Sequence, residues 1–169
     1  TILCLPEISD NAMNAAWGTM PGAGLVVLNL TETHKTVQNI KARGAFTVSI
    51  ADAAHIVEAD YFGVESCNKV ADKFARSGLT ASKAETVDSL HQRVSDLPGM
   101  QFIEYQNSEY GCGVIGKVVN VTADESVMVD GEIDMFKVNA IAFDPYTHGY
   151  YKVTERVGEA FRDGLKLKK

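Results

Sequence analysis

The hydrophobic pattern changes period several times along this chain, and each change predicts an element. Gly24 to Leu30 (GLVVLNL) is a β-rich apolar run behind the turn signal Pro21-Gly22-Ala23-Gly24, which predicts a buried strand. His34 to Arg43 is spaced as a helix, with Val37 and Ile40 three apart, Thr33 placed as N-cap and Gly44 where a C′ residue belongs. Ala45 to Ala51 (AFTVSIA) sets Phe46, Val48 and Ile50 against small or polar residues, the period-two pattern of a half-buried strand. Asp52 is placed to cap a short helix through Tyr61 that Gly63 ends, and a second helix over Val70 to Ser77 stops at Gly78. Strand-like segments follow at Met100 to Tyr105, Val114 to Thr122, Ser126 to Val129 and Asn139 to Phe143. Val153 to Leu167 reads as a helix or an irregular tail, since Gly158 and Gly164 weaken any helix there.

Strands dominate and the helices are short, in an order that is not a regular β-α-β alternation. A Rossmann sheet is therefore not expected. A mainly β fold, a barrel with short peripheral helices, fits the pattern. No repeat or Pro/Ser-rich linker divides the 169 residues, so one domain is expected, large enough to bury a core without staples.

Charge and cysteine content narrow the function classes. The formal net charge of -6 argues against general nucleic-acid binding, which needs a basic surface. An anionic cofactor would have to be held locally, by a few lysines, hydroxyls and backbone N–H groups. Cys4, Cys67 and Cys112 are odd in number and lack C-x-x-C spacing, so neither a disulfide framework nor a zinc site is suggested. No apolar run reaches the roughly 18 residues of a membrane span. The opening Thr1 to Leu5 lacks the length and basic flank of a signal peptide, and the cytoplasm is the expected location.

Three clusters carry candidate chemistry. Thr31-Glu32-Thr33-His34-Lys35-Thr36 gathers hydroxyls, an imidazole and an ammonium at a helix start, where free N–H groups favour phosphate. The same residues also read as a solvated helix start with an ordinary threonine cap. Ser66-Cys67-Asn68-Lys69, with Lys73 beyond, places a hydroxyl, an amide and two lysines on a loop entering a helix. That loop could grip the polar edge of a heterocycle or a phosphate, but by residue type alone it reads first as a surface turn followed by a charged helix. In Asn11 to Gly18, small residues between Asn14 and Trp17 would let a flat ring approach the backbone, or would pack at a strand crossing. Other motifs fall short. The histidines lack metal-ligand spacing, Gly22-Ala23-Gly24 lacks the rest of a dinucleotide fingerprint, and no nucleophile elbow or Walker loop occurs. Cys112, between two glycines, reads as a small buried thiol before a reactive one.

Taken in order, NAMNAAWG (11–18), HKTVQNI (34–40), AFTVSIA (45–51), ADYFGVES (59–66), NKVADKFARSGLT (68–80), VIGKVVNVTADESV (114–127) and FDPYTHGYYKVTERVGEAFRDG (143–164) resemble the flavin reductase-like FMN-binding family, which includes the flavoredoxins. The ordered set covers most of the chain after Asn11. The resemblance implies a Greek-key FMN-binding split β-barrel, assembled as a homodimer with FMN near the subunit interface. It places Asn14, Ala15, Ala16 and Trp17 along the isoalloxazine ring, and Thr31, Thr33, His34, Lys35 and Thr36 in the phosphate turn. Ser66, Asn68, Lys69 and Lys73 fall in the loop that meets the flavin or its ribityl phosphate, and Phe143 to Tyr151 would shield the ring. There are departures. Residues 1–10 are short for the family's first strand and turn, Cys67 stands where the family has Gly, Asn14 replaces a commoner Thr, and 92–112 matches poorly.

The chemistry so implied belongs to the flavin, with no catalytic side chain of the protein's own. Hydride would pass between NAD(P)H and FMN stacked ring on ring, and Lys69 or Lys73 would stabilise charge near N1 and O2. Two other classes compete with this flavin reductase reading: an electron carrier reduced by a protein partner, and a binding or structural relative without flavin.

Overall fold

The computed structural model describes residues 2–4, 11–80, 100–108 and 111–168. The apolar run predicted as a buried strand forms β4 (Leu25–Leu30) within a five-stranded antiparallel sheet. Its neighbours are β3 (Gly18–Thr19) on one side and β7 (Gly111–Val118) on the other, followed by β6 (Met100–Ser108) and β5 (Ala45–Phe46). The β4–β7 register sets Leu28 opposite Val114 and Leu30 opposite Cys112, so one face of both strands is apolar. A register shift between Phe102 and Glu104 marks a bulge in β6.

Helix α1 (Lys35–Arg43) packs on that face through Val37 and Ile40, both fully buried. With Leu28, Leu30, Phe46, Cys112 and Val114 they form the core. A helix of this length is marginal in water by itself. Burial of each large apolar side chain, at about 1.5–3 kcal/mol, is what holds it. The helix begins one residue later than Thr33 would place it: His34 is the N-cap, with extended backbone and no side-chain capping bond.

Two predicted elements come out shorter. Of Ala45 to Ala51, Ala45 and Phe46 are described as strand, opposite Gln101 and Met100. The chain then turns to the closing part of the molecule, where Ala51 O accepts from Ile141 N at 3.2 Å and Asp52 bridges Ala140. The helix predicted over Val70 to Ser77 reduces to α3 (Lys73–Arg76), since residues 66–72 are taken up by turns. Asp52 does cap as expected, accepting from Ala54 N and His55 N at 2.7 and 3.0 Å. The following α2 (Ile56–Val64) runs through Gly63 rather than ending there.

Strand β1 (Ile2–Cys4) pairs with β2 (Asn11–Met13). Beyond the main sheet, β8 (Met128–Val129) pairs with β9 (Glu132–Ile133), α4 (Met135–Val138) follows, and β10 (Ile141–Asp144) and β11 (Gly149–Lys152) make a hairpin. Among the described residues the strands form this sheet and three two-stranded ones, with no closed barrel. The expected barrel thus appears as mainly antiparallel sheet with short helices. Val153 to Lys168 is an exposed arm with one 3₁₀ turn at Asp163–Leu167, the irregular alternative for that segment. No helix among the described residues is long and apolar enough to cross a membrane.

Candidate functional site

Between β2 and β3 the chain leaves regular pairing at Asn14–Trp17 and is held from two sides. Asn14 N donates to Phe62 O of α2 at 3.3 Å, and Trp17 O accepts from Asn29 N of β4 at 2.8 Å. This span forms one wall of a cleft of about 460 Å³. The other wall is Asn29, Leu30 and Thr31 at the end of β4, with His34 at the start of α1, and Gly63 of α2 contributes to the lining. A Cβ at Gly63 would lie 3.3 Å from the Asn14 Cβ, so glycine is what lets α2 come this close. Across the sheet Gly111, at φ +139°, leaves room for the Asn29 carboxamide that lines the cleft, since a Cβ there would overlap Asn29 Oδ1.

One end of the cleft is rich in donors. His34 N donates to Thr31 O at 2.9 Å, and Thr31 N donates back to His34 Nδ1 at 3.4 Å. A neutral ring that accepts at Nδ1 carries its proton on Nε2, leaving that N–H to point elsewhere. Burial, helped by the positive charge of Lys73, pushes the His34 pKa below the ordinary imidazole value. Lys35 is half-buried next in sequence. The Ser66–Lys69 loop is brought to this same turn by Asn68, whose Nδ2 donates to Thr33 O at 2.7 Å while Ser66 Oγ accepts from Asn68 N at 3.3 Å. Cys67 does not need the positive φ that would favour glycine. Burial pushes its thiol up, against the opposing pull of Lys73 and Lys35.

The other end is flat. Ala15 and Ala16 keep the wall low, and Trp17, 56% exposed, meets Phe143 edge-on at 6.3 Å. Phe143 in turn stacks with His148 and leans on Tyr150 at 5.5 Å, so the β10–β11 hairpin backs this end. Asn14 Nδ2 donates to Tyr150 Oη at 3.3 Å, and Tyr150 Oη donates to Asp60 Oδ1 at 2.8 Å. Burial and the Asp60 carboxylate raise the Tyr150 phenol above its usual pKa, so it stays protonated. The relay commits the Asn14 amide nitrogen and leaves its carbonyl oxygen as the free polar end.

The sequence candidates therefore divide. Asn14, Ala15, Ala16, Trp17, Thr31 and His34 line the one cleft; Thr33, Lys35, Ser66 and Asn68 lie in the turn and the loop docked on it, and Lys69 is exposed on that loop. Two candidates point inward. Thr36 is buried, its Oγ1 accepting from Asn11 Nδ2 at 2.6 Å. Lys73 is 2% exposed, and its ammonium donates to Ala12 O at 2.8 Å and Phe62 O at 2.9 Å, with the Phe62 ring centroid 5.5 Å away. A buried cation needs such partners. Lys73 thus fastens β2 to α2 behind the cleft and lowers the His34 pKa from there. Burial lowers its own pKa, with Cys67 and Glu65 acting against the shift. Sequence reading missed Asn29, Gly63 and Asp60, because no local pattern marks residues that meet only through the fold. A cleft with small and aromatic walls on one side and a hydroxyl and an imidazole on the other, with Lys35 next along the chain, suits a planar ring carrying an anionic tail.

No protein-family model matches the sequence, and no curated protein does. Solved structures do. Flavoredoxin of Desulfovibrio vulgaris (Miyazaki F) superimposes with a TM-score of 0.81 at 30% identity, over 96% of this chain and 90% of that one. Flavoredoxin from Methanosarcina acetivorans gives 0.82 at 18% identity, covering 98% and 89%. An FMN-binding domain of a flavin reductases-like enzyme from Shewanella baltica OS155 gives 0.70 at 18%, covering 94% and 86%.

Proposed function

This chain belongs to the flavoredoxin-type, flavin reductase-like family of FMN-binding proteins, and from that premise we propose that it is an FMN-dependent oxidoreductase whose flavin sits between Trp17 and His34. The observation that carries the reading is the two-ended cleft, whose donor set matches a phosphate at one end and an isoalloxazine ring at the other. Its volume of about 460 Å³ falls within the roughly 300–1,000 Å³ of small-molecule sites. Closure of the sheets into a Greek-key split barrel belongs to the same reading, supported by the likeness to split-barrel flavoproteins.

When bound, FMN would supply reversible two-electron chemistry, accepting hydride from NADH or NADPH or electrons from a redox protein. The protein's part is to bind and aim. Thr31 Oγ1, His34 Nε2–H and the Lys35 ammonium are the phosphate donors, in a turn that Asn68 steadies. Because His34 is neutral near pH 7, it gives a hydrogen bond without a full charge, and the lysines supply the charge. Ala15 and Ala16 allow close approach of a flat ring, and Trp17 covers part of its surface. Asn14, held by Tyr150, offers a carbonyl oxygen to a ring N–H. Lys69 is the candidate for negative charge arising on the ring's polar edge; Lys73 acts through the field alone, since its hydrogen bonds go to backbone carbonyls.

The test is direct. The purified protein should be yellow, release FMN on denaturation, and quench the fluorescence of added FMN. A colourless protein that leaves FMN fluorescence unchanged would remove the proposal. The likeness to two flavoredoxins favours a second reading on the same site, an electron carrier fed by a protein partner. Stopped-flow reduction by NADH and NADPH separates the two: bleaching fast enough for turnover supports the reductase, and negligible bleaching supports the carrier.

A further inference from the structure

The Asn14 carboxamide has its orientation set from outside the cleft. Tyr150 carries one hydroxyl proton, and it goes to Asp60 Oδ1 at 2.8 Å, because an ionised carboxylate can only accept. Burial and that same carboxylate hold the phenol in its protonated form. With its proton committed, Tyr150 Oη can only accept from Asn14, so the carboxamide atom 3.3 Å away must be the nitrogen. The backbone of Asn14 is fixed as well, its N–H donating to Phe62 O at 3.3 Å. No described residue donates to Asn14 Oδ1, and the side chain is half-buried on the cleft wall. A hydroxyl such as that of Thr31 can turn to give or to accept. Asn14 is held as an acceptor.

A flavin offers different hydrogen-bonding groups in its two redox states. The oxidised ring has a bare nitrogen at N5, an acceptor. Uptake of a hydride equivalent, two electrons and one proton, puts a hydrogen there and makes N5 a donor. The phosphate tail leaves the ring at N10, and the turn that would hold it, Thr31 to His34, stands on the wall opposite Asn14. The ring edge turned away from N10 is the one that carries N5. Resting on the flavin reading above, we propose that Asp60 and Tyr150 are positioning residues that lock Asn14 as an acceptor toward flavin N5, so that the cleft holds reduced FMN more tightly than oxidised FMN. Against the oxidised ring, Asn14 Oδ1 meets a lone pair and makes no bond. Against the reduced ring it accepts one, in a half-buried site where an unpaired polar atom is costly. By linkage, tighter binding of the reduced ring is the same quantity as a raised midpoint potential of the bound flavin. Such a cleft retains its flavin after reduction, until an electron acceptor arrives.

Anaerobic titration of the full chain with oxidised FMN and with dithionite-reduced FMN tests this, together with the midpoint potential of the bound flavin. The unmodified protein should bind the reduced form more tightly, with a potential above that of free FMN. Tyr150→Phe frees the Asn14 carboxamide to turn, and should cut the preference for reduced FMN about fivefold, roughly 20 mV for a two-electron couple. Asp60→Leu, at an exposed position, releases the phenol proton toward Asn14 Oδ1 and turns the amide N–H to the ring. It should cut the preference at least as far. Asn14→Ser supplies a hydroxyl that serves either redox state, and should also lose the preference. A merely structural role would weaken both forms together and leave their ratio and the potential where they were. FMN bound with no preference for its reduced form, or with a preference that none of the three substitutions moves, would overturn the inference and leave the flavin reading standing. A protein that binds FMN in neither state would overturn both.

Discussion

The two ends of the cleft are built in opposite ways. The donor end is one turn, Thr31 to His34, closed by its own backbone and held by Gln38 and Lys41 of the helix that follows and by Asn68. The flat end gathers Asn14 and Trp17 with Asp60, Phe143 and Tyr150, whose order in the chain gives no hint that they meet. Local construction makes the first end a matter of residue type, so that most changes there alter one donor at a time. The second end depends on packing between α2, the closing hairpin and the Asn14–Trp17 span, and a change at any of them reaches the others.

The largest expected effect comes from the group that serves both ends. Lys73→Met takes the charged donor away from Ala12 O and Phe62 O, the latter keeping only the Asn14 N–H, at about 1.5–3 kcal/mol for each hydrogen bond to a charged group. Thermal unfolding should show a fall in Tm together with weaker FMN binding; an unchanged Tm would mean that the ammonium does not fasten β2 to α2. Next, Lys35→Ala and Thr31→Val each remove a donor to a charged group, about 1.5–3 kcal/mol. Titration with FMN should weaken tenfold or more while riboflavin, which lacks the phosphate, binds as before. Equal losses for both ligands would erase the distinction between the ends. Tyr150→Phe deletes the hydroxyl between Asn14 and Asp60, at about 1 kcal/mol, and should weaken FMN and riboflavin alike. A loss confined to FMN would place the phosphate at the wrong end.

The smallest effect is on pH. Folding lowers the His34 pKa, so the unfolded chain takes up a proton at a higher pH than the folded one. This group therefore makes stability fall as pH drops through the ordinary imidazole value, and the loss stops growing below the folded pKa. His55 is shifted upward by its bond to Asp52, so its contribution is present below the ordinary imidazole pKa and is lost as pH rises through the folded value. Tm measured from pH 7.5 to 5.5 should drop less in His34→Gln than in the parent, and more in His55→Gln. Identical slopes in all three proteins would mean that neither ring is coupled to folding.

The same contrast shows which features the sequence displays. The β4 run, the Val37–Ile40 face of α1 and the capping role of Asp52 are readable because period and cap chemistry act over a few residues. The hydroxyl-rich helix start at Thr31 to Thr36 is readable for the same reason. What spacing does not reveal is direction: Thr36 turns inward to Asn11 and Lys73 to two carbonyls, although both look like surface donors in the sequence.

By itself, then, the amino-acid order determined the strand-rich class, the central strand and its packed helix, and the chemistry available at the donor turn. Tertiary structure alone decided which lysine is buried, which amide is oriented by a distant phenol, and which glycine admits α2 to the cleft. The physical reason is range. Hydrophobic period, capping and turn chemistry are satisfied between near neighbours, whereas burial and the pairing of polar groups depend on which remote segments share a surface once the core has formed.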